Sequence, residues 1–247
     1  MKLLMINPNT TPAMTTLMRD VAREAAAPAT EIVAVTGRFG ARYVASRAAY
    51  AIAGHAALDA YAEHGADADV VALSCFGDPG LLALKEIARQ PVIGMAEAAC
   101  LHAASLGGRF AIVTGGERWG PMLREFVAAI GLESRLAYVQ TVAPTGADIA
   151  ARPKESLELL AAACRVCVDD HRADSVILGG AGLAGLARRI EASVPVPLID
   201  SVVAVVEAAE RFAMARPTKA TRGSFAATPP VECIGLAAPL AKLMAAG

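Results

Sequence analysis

Among the five cysteines, at positions 75, 100, 164, 167 and 233, Cys75 has the surroundings that chemistry needs. It follows the apolar run "ADVVALS" and opens the turn "FGDPGL". Pro79 in that turn suits the first position of a helix, and the free N–H groups of a helix start stabilise a thiolate. The sequence therefore predicts an ionisable thiol at a strand end. Such a thiol can act as base, acid or nucleophile. The other four cysteines have plainer settings. Cys164 and Cys167 form a C-x-x-C inside the helical stretch "SLELLAAACRVCVDDH" with no second ligand pair, which supports neither zinc nor redox chemistry. Cys100 lies in an Ala-rich helix and Cys233 beside the strand-like "VECIGL", both packing positions. His55, His64, His102 and His171 stand singly at helical positions without H-x-x-x-H spacing, so no metal site is expected.

Two other loops carry polar groups. In "NPNTT" the amides of Asn7 and Asn9 and the hydroxyl of Thr10 are suited to orienting a small polar substrate, or to forming a turn and capping a helix. "TGGERWG", residues 114 to 120, has a glycine pair after a strand but lacks both the G-K-[ST] ending and the G-x-G-x-x-G spacing of nucleotide loops. Its backbone N–H groups are still able to hold a carboxylate or an enolate oxygen.

The elements that position these loops follow from the alternation of short apolar runs with Ala-rich helical stretches. Strands are expected at 2–6, 31–36, 70–74, 92–95, 110–114, 137–141, 175–178 and 197–199. Strands separated by helices make parallel βαβ units with right-handed connections. "KLLMIN" precedes "RFAIVT" by 107 residues (109 − 2), "ADVV" precedes "ADSV" by 105 (173 − 68), and "PVIGM" precedes "PLIDS" by 106 (197 − 91). Near-constant offsets predict an internal duplication. The fold class is thus α/β, with two pseudo-symmetric domains that each carry a four-stranded parallel sheet flanked by helices. The expected domains are 1–97 with 205–247, and 98–204. Ligands bind beyond the carboxyl ends of such strands, which puts the expected site between the two domains and makes Gly180 the counterpart of Cys75. A last short helix is expected over 239–246, after a polar surface loop at 216–225.

Composition narrows the function. Hydrophobic residues make up 55% of the 247 and aromatics 4%, so the core is built from Ala, Val, Leu and Ile, as in layered α/β proteins. A formal net charge of -1 without a basic block gives no attraction to nucleic acid or to an anionic membrane. The opening "MKLLMINPNTT" reaches Asn and Pro too soon for a secretory h-region, and no apolar run approaches a membrane span of roughly 20 residues. A cytoplasmic protein with reduced thiols is expected.

Taken in order, "INPNTT", "SCFGDPGL", "PVIGMAEAA", "FAIVTGGERW" and "VILGGAGLAGL" resemble the aspartate/glutamate/hydantoin racemase superfamily, and most of all its hydantoin and allantoin racemase branch. The resemblance spans nearly the whole chain. It implies two pseudo-symmetric α/β domains, no cofactor, a small-molecule substrate, and two cysteines that remove and return a proton at a substrate α-carbon. Cys75 matches the first of these. Gly180 stands where the branch has the second, and Thr114-Gly115 where members tend to have paired threonines. Arg47, in "RYVASRAAYAIAG", falls in the region that lines the pocket in the family, where an arginine holds a carboxylate. The expected substrate contacts are Asn7, Asn9, Arg47, Ser74, Phe76, Thr114, Gly115, Gly116, Gly180 and Ala181, with the backbone amides of Phe76, Gly115, Gly116, Gly180 and Ala181 holding oxygens. The expected assembly is a homo-oligomer.

Cofactor-free racemisation needs a base on one face of a planar enolate and an acid on the other. With glycine opposite Cys75, three chemistries stay open. Water or another group supplies the second transfer; Cys75 is a lone acid, as in arylmalonate decarboxylases; or it is a nucleophile, as in maleate isomerases. A two-lobed small-molecule binding module is the non-enzymatic alternative, and it has no use for an activated thiol.

Overall fold

The computed structural model describes residues 1–142 and 153–246. The chain forms two compact units, Met1–Gly94 with Val206–Gly247, and Met95–Val205. The first unit contains β1 (Lys2–Asn7), α1 (Pro12–Ala25), β2 (Glu31–Thr36), α2 (Arg47–His64), β3 (Val70–Leu73), α3 (Leu81–Ile87) and β4 (Val92–Gly94). The second contains α4 (Met95–Leu106), β5 (Phe110–Gly115), α5 (Trp119–Ala129), β6 (Leu136–Val142), α6 (Pro153–Asp169), β7 (Ser175–Gly179), α7 (Ala187–Ile190) and β8 (Leu198–Asp200). The boundary falls within α8 (Ser201–Ala215), and α9 (Ala238–Ala246) closes the chain. Each of the eight expected strands is present, with ends shifted by a residue or two.

Both sheets are wholly parallel and have one topology, β2-β1-β3-β4 and β6-β5-β7-β8. Their registers also agree. Leu3 pairs with Val70 as Phe110 pairs with Ser175, and Val71 pairs with Val92 as Val176 pairs with Leu198. The offsets are 107 (110 − 3), 105 (175 − 70) and 106 (198 − 92), the three values read from the sequence. Ile6 and Leu73 correspond in this way to Val113 and Leu178, so two residues further on Cys75 corresponds to Gly180.

Helices cover the faces of these sheets, which is why the strands read as unbroken apolar runs. Leu3, Ile6, Val70, Val71, Ala72 and Leu73 are all fully buried. Each such Val, Leu or Ile contributes roughly 1.5–3 kcal/mol relative to exposure. Alanines 53, 56, 57 and 60 line the buried side of α2. Small side chains let that helix come close, and at Gly54 its backbone meets the turn before α3, where a Cβ on Gly80 would stand 2.9 Å from the Gly54 Cα. Ser46 caps α2 by accepting from Ala49 N–H at 3.2 Å.

After α8 the chain crosses the first unit without regular structure. Lys219 donates to the carbonyls of Lys85 and Glu86 in the last turn of α3, satisfying acceptors that a helix end leaves open. The strand-like "VECIGL" forms no strand: Val231 N–H bonds to the Met244 carbonyl of α9 at 2.9 Å. Among the described residues no helix is long and apolar enough to cross a membrane.

All five cysteines are free thiols. Cys164 and Cys167 are fully buried in the core of the second unit, against residues such as Val113, Val176 and Leu178. Burial pushes both thiols up to about 12, with the neighbouring Cys167 adding to the effect at Cys164. Unfolded thiols ionise near 9, so the unfolded chain sheds these protons first. The stability contributed by the protonated thiols is complete below pH 9 and is lost as pH rises toward 12, at up to about 1.4 kcal/mol per pH unit per thiol. Urea unfolding at pH 8 and pH 10 is expected to show this loss, and the Cys164→Ala/Cys167→Ala variant to show much less of it.

Candidate functional site

The carboxyl ends of β1 and β3 build the site in the first unit. Beyond Asn7 the chain turns back on its own side chains. Asn7 Nδ2 donates to Asn9 Oδ1 at 3.0 Å and to Thr15 Oγ1 at 2.9 Å, and Asn7 Oδ1 accepts from Asn9 N–H at 3.3 Å. Asn9 Oδ1 also accepts from Thr11 N–H at 2.9 Å. Both ends of the Asn7 amide are therefore committed inside the loop. Asn7 thereby holds the shape of this loop. The Nδ2 of Asn9 takes no part in these bonds and is the donor this loop offers. Arg47 is exposed in the first turn of α2.

The loop after β3 departs from the sequence reading in an informative way. Ser74 N–H extends the ladder to the Ile6 carbonyl at 2.8 Å. Its hydroxyl has only a 3.5 Å approach to the Ala72 carbonyl. Cys75 then begins a tight turn, its carbonyl accepting from Asp78 N–H at 2.8 Å. Gly77 has φ 112° and Asp78 has φ 54°, the second unusual for a residue with a side chain. Tyr50, on α2, donates its hydroxyl to the Gly77 carbonyl at 2.7 Å and pins the turn. Helix α3 starts at Leu81 behind Gly80, so Pro79 is not its first residue and Cys75 lies a full turn of chain before it.

The thiol is accordingly not held as a thiolate. Cys75 is 9% exposed, and burial, reinforced by the Asp78 carboxylate, pushes it up to about 12. At neutral pH it carries its proton. Tyr50 is raised as well, first by burial and then by Asp78 and Cys75. What the turn supplies in place of a helix start is backbone. The N–H groups of Cys75, Phe76 and Gly77 have no acceptor among the described residues. Consecutive free amides at a turn with positive φ form a concavity for an anion or a carbonyl oxygen.

The corresponding end of the second sheet is built differently. Thr114 Oγ1 donates to the Gly179 carbonyl at 2.8 Å, joining β5 to β7. Gly115 ends β5, and Gly116 N–H reaches the Val142 carbonyl at 3.3 Å. Gly180 N–H reaches Ser201 Oγ at 3.4 Å. These two amides already have acceptors, at 3.3 and 3.4 Å. The N–H of Ala181 has none among the described residues. Asp200, at the end of β8, accepts from Gly185 N–H at 2.6 Å, Val202 N–H at 2.9 Å and Val203 N–H at 3.4 Å. Burial raises its carboxyl group and those three amide bonds oppose the rise. Tyr50, Asp78, Asp200 and Ser201 were not singled out by the sequence. An aspartate three residues after a strand-end cysteine is a visible pattern, but only the folded turn brings its carboxylate to the thiol.

With two copies of one sheet and a strand-end thiol in place, comparison with known proteins becomes decisive. Residues 3–209 match the family described as Asp/Glu/Hydantoin racemase. The chain belongs to this family. It is 36% identical over 213 residues to a hydantoin racemase of Pseudomonas sp. (strain NS671), covering 85% of each chain. An allantoin racemase from Pseudomonas fluorescens superposes with a TM-score of 0.91 at 29% identity, over 95% of this chain and 100% of that one. The allantoin racemase of Klebsiella pneumoniae gives 0.89 at 30% identity over 98% of each. The chain is thus an isomerase of the racemase type, with the α/β fold of the allantoin racemase structures.

Gly180 is more than Cys75 without its side chain. Its φ of 113° and ψ of 149° lie in a region that is essentially glycine's own. Among the described residues a Cβ there would meet only Thr114 Oγ1, at 3.7 Å, so it is the backbone conformation that resists a side chain. Gly180→Cys is expected to fold but to lose about 1–3 kcal/mol of stability, measurable by urea unfolding. An unchanged midpoint would show that this backbone accommodates a side chain freely.

Proposed function

We propose that this racemase-family enzyme moves a proton at the carbon α to a carbonyl in a small hydantoin- or allantoin-like ring, without a cofactor, and that Cys75 is the group that delivers the proton. The observation that carries this reading is the pairing of a protonated thiol with free backbone amides in one turn. A substrate carbonyl oxygen accepts from the amides of Phe76 and Gly77, which favours the enolate over the ketone as negative charge grows there. A group on the face away from Cys75 takes the α-hydrogen as a proton, its electron pair stays in the enolate, and the thiol gives its own proton to the α-carbon and is left as a thiolate. With the other enantiomer, whose α-hydrogen faces Cys75, the thiolate takes that proton and the group on the far face returns one. Asn9 Nδ2 is a further donor for a ring carbonyl.

The two faces are unlike in this scheme, since Gly180 supplies no side chain where the branch carries its second cysteine. Transfer on the face away from Cys75 falls to water or to another group. The same observation favours a second reading, in which Cys75 is only an acid and the enolate arises by loss of carbon dioxide from a substituted malonate.

Polarimetry separates the two. Enantiopure 5-monosubstituted hydantoins and allantoin are expected to lose optical rotation faster than in buffer alone, and Cys75→Ser to slow this by at least about 10³-fold without unfolding the protein. Cys164→Ser, Cys167→Ser and Cys233→Ser are expected to keep most of the activity. Carbon dioxide release from arylmalonates with no effect on hydantoins would favour the second reading. Parent-like racemisation by Cys75→Ser would exclude both.

A further inference from the structure

The two units solve one structural problem with a carboxylate placed from opposite sides. Leu73 pairs with Gly94 as Leu178 pairs with Asp200, so Gly94 and Asp200 are equivalent strand-end residues, 106 apart (200 − 94). In the second unit the carboxylate belongs to the strand end: Asp200 reaches across to Gly185 N–H in the loop that follows β7. In the first unit it belongs to the loop that follows β3. Asp78, 2% exposed, turns its carboxylate onto the end of β4, where a Cβ on Gly94 would overlap it. The same volume between the loop and the fourth strand is filled by carboxylate in both units. Only in the first does that carboxylate come from the thiol's own turn.

This placement has a local cost. Asp78 holds φ 54°, a left-handed conformation that residues with a side chain seldom adopt and that persists where the surroundings demand it. An aspartate on the fourth strand, as in the second unit, would fill the volume without a left-handed residue in the loop.

We propose that Asp78 is the positioning residue of the Cys75 turn: its carboxylate, wedged against Gly94, ties the loop after β3 to the end of β4 and sets a negative charge in the turn that carries the thiol. The inference rests on the proposed role of Cys75 as proton donor. Asp78 raises the thiol through its charge, after burial. Among the described residues, the charged group that acts on the thiol is Asp78 from its own loop. Tyr50 of α2 is held in the neutral form by burial and then by Asp78 and Cys75.

Alkylation of Cys75 by iodoacetamide, followed at its own peptide by mass spectrometry across pH, tests this without any substrate. In the parent, alkylation is expected to be slow at pH 8 and to rise about tenfold per pH unit. Asp78→Asn and Asp78→Gly are expected to react about tenfold faster at pH 8, a displacement of the curve by about one pH unit. Asp78→Gly combined with Gly94→Asp restores the carboxylate from the strand end, as the second unit has it, and is expected to fold and return to the slow parental curve. Should the single variants fail to fold, folding and slow alkylation of the combined variant still support the proposal. A folded Asp78→Asn with the parental curve, a combined variant that alkylates like Asp78→Gly, or one that does not fold would overturn it. On a racemised hydantoin, Asp78→Asn is expected to lower kcat at least about tenfold with KM within about threefold. If the parent racemises nothing, the proposed function fails while the alkylation series still decides the role of Asp78.

Discussion

Everything at the first site depends on one tight turn, from Cys75 to Asp78, at the end of a fully buried strand. A parallel strand that ends in the middle of a sheet must leave it sharply, and here it does so through two consecutive residues with positive φ, Gly77 and Asp78. The geometry that permits this exit also turns amide hydrogens away from the sheet. It leaves the thiol buried, with the Asp78 carboxylate in the same turn, instead of at a helix start. Three contacts hold the turn: Asp78 N–H on the Cys75 carbonyl, the Tyr50 hydroxyl on the Gly77 carbonyl, and the Asp78 side chain on Gly94. Burial then decides the chemistry. A thiol that keeps its proton until pH is far above neutral is a source of protons for an enolate before it is a base.

Duplication supplied two such exits, and they have diverged. The two sheets share one topology and the same register along their inner strands, with a shift between Phe110 and Ala111 in the β5–β6 pairing alone, whereas the loops beyond them differ. The second copy has Gly180 in place of the thiol, in a backbone conformation that a cysteine would strain, and its buried carboxylate comes from β8. Catalysis by two like thiols on opposite faces is the symmetric use of such a fold. In this chain one strand end carries a thiol, and the other carries glycine, a Thr114 hydroxyl bonded to the Gly179 carbonyl and an aspartate held by backbone amides.

The architecture was legible in the sequence because strands buried on both faces leave continuous apolar runs, and because the offsets of 107, 105 and 106 survived in "KLLMIN", "ADVV" and "PVIGM" and their repeats. Cys75 was legible too, as a thiol between an apolar run and a glycine-rich turn. Its ionisation was not. "FGDPG" reads equally well as the start of a helix at Pro79 or as a turn that delays the helix to Leu81, and only the folded backbone distinguishes a stabilised thiolate from a buried thiol. The same limit applies to Asn7, whose amide type suits substrate binding but whose neighbours Asn9 and Thr15 take both of its ends. Tyr50 was hidden in an Ala-rich helix, because contact with Gly77 joins residues far apart in the chain.

The central claim, that Cys75 delivers the proton from one face of the substrate, is tested most directly by isotope exchange in D2O. Each enantiomer of a 5-monosubstituted hydantoin is incubated separately with enzyme, and deuterium at the α-carbon is followed by NMR from the earliest turnover. Unlike faces predict deuterium in the product, clearly unequal initial exchange rates for the two enantiomers, and loss of both in Cys75→Ser. Equal exchange from the two enantiomers, or exchange that survives in Cys75→Ser, would contradict the account.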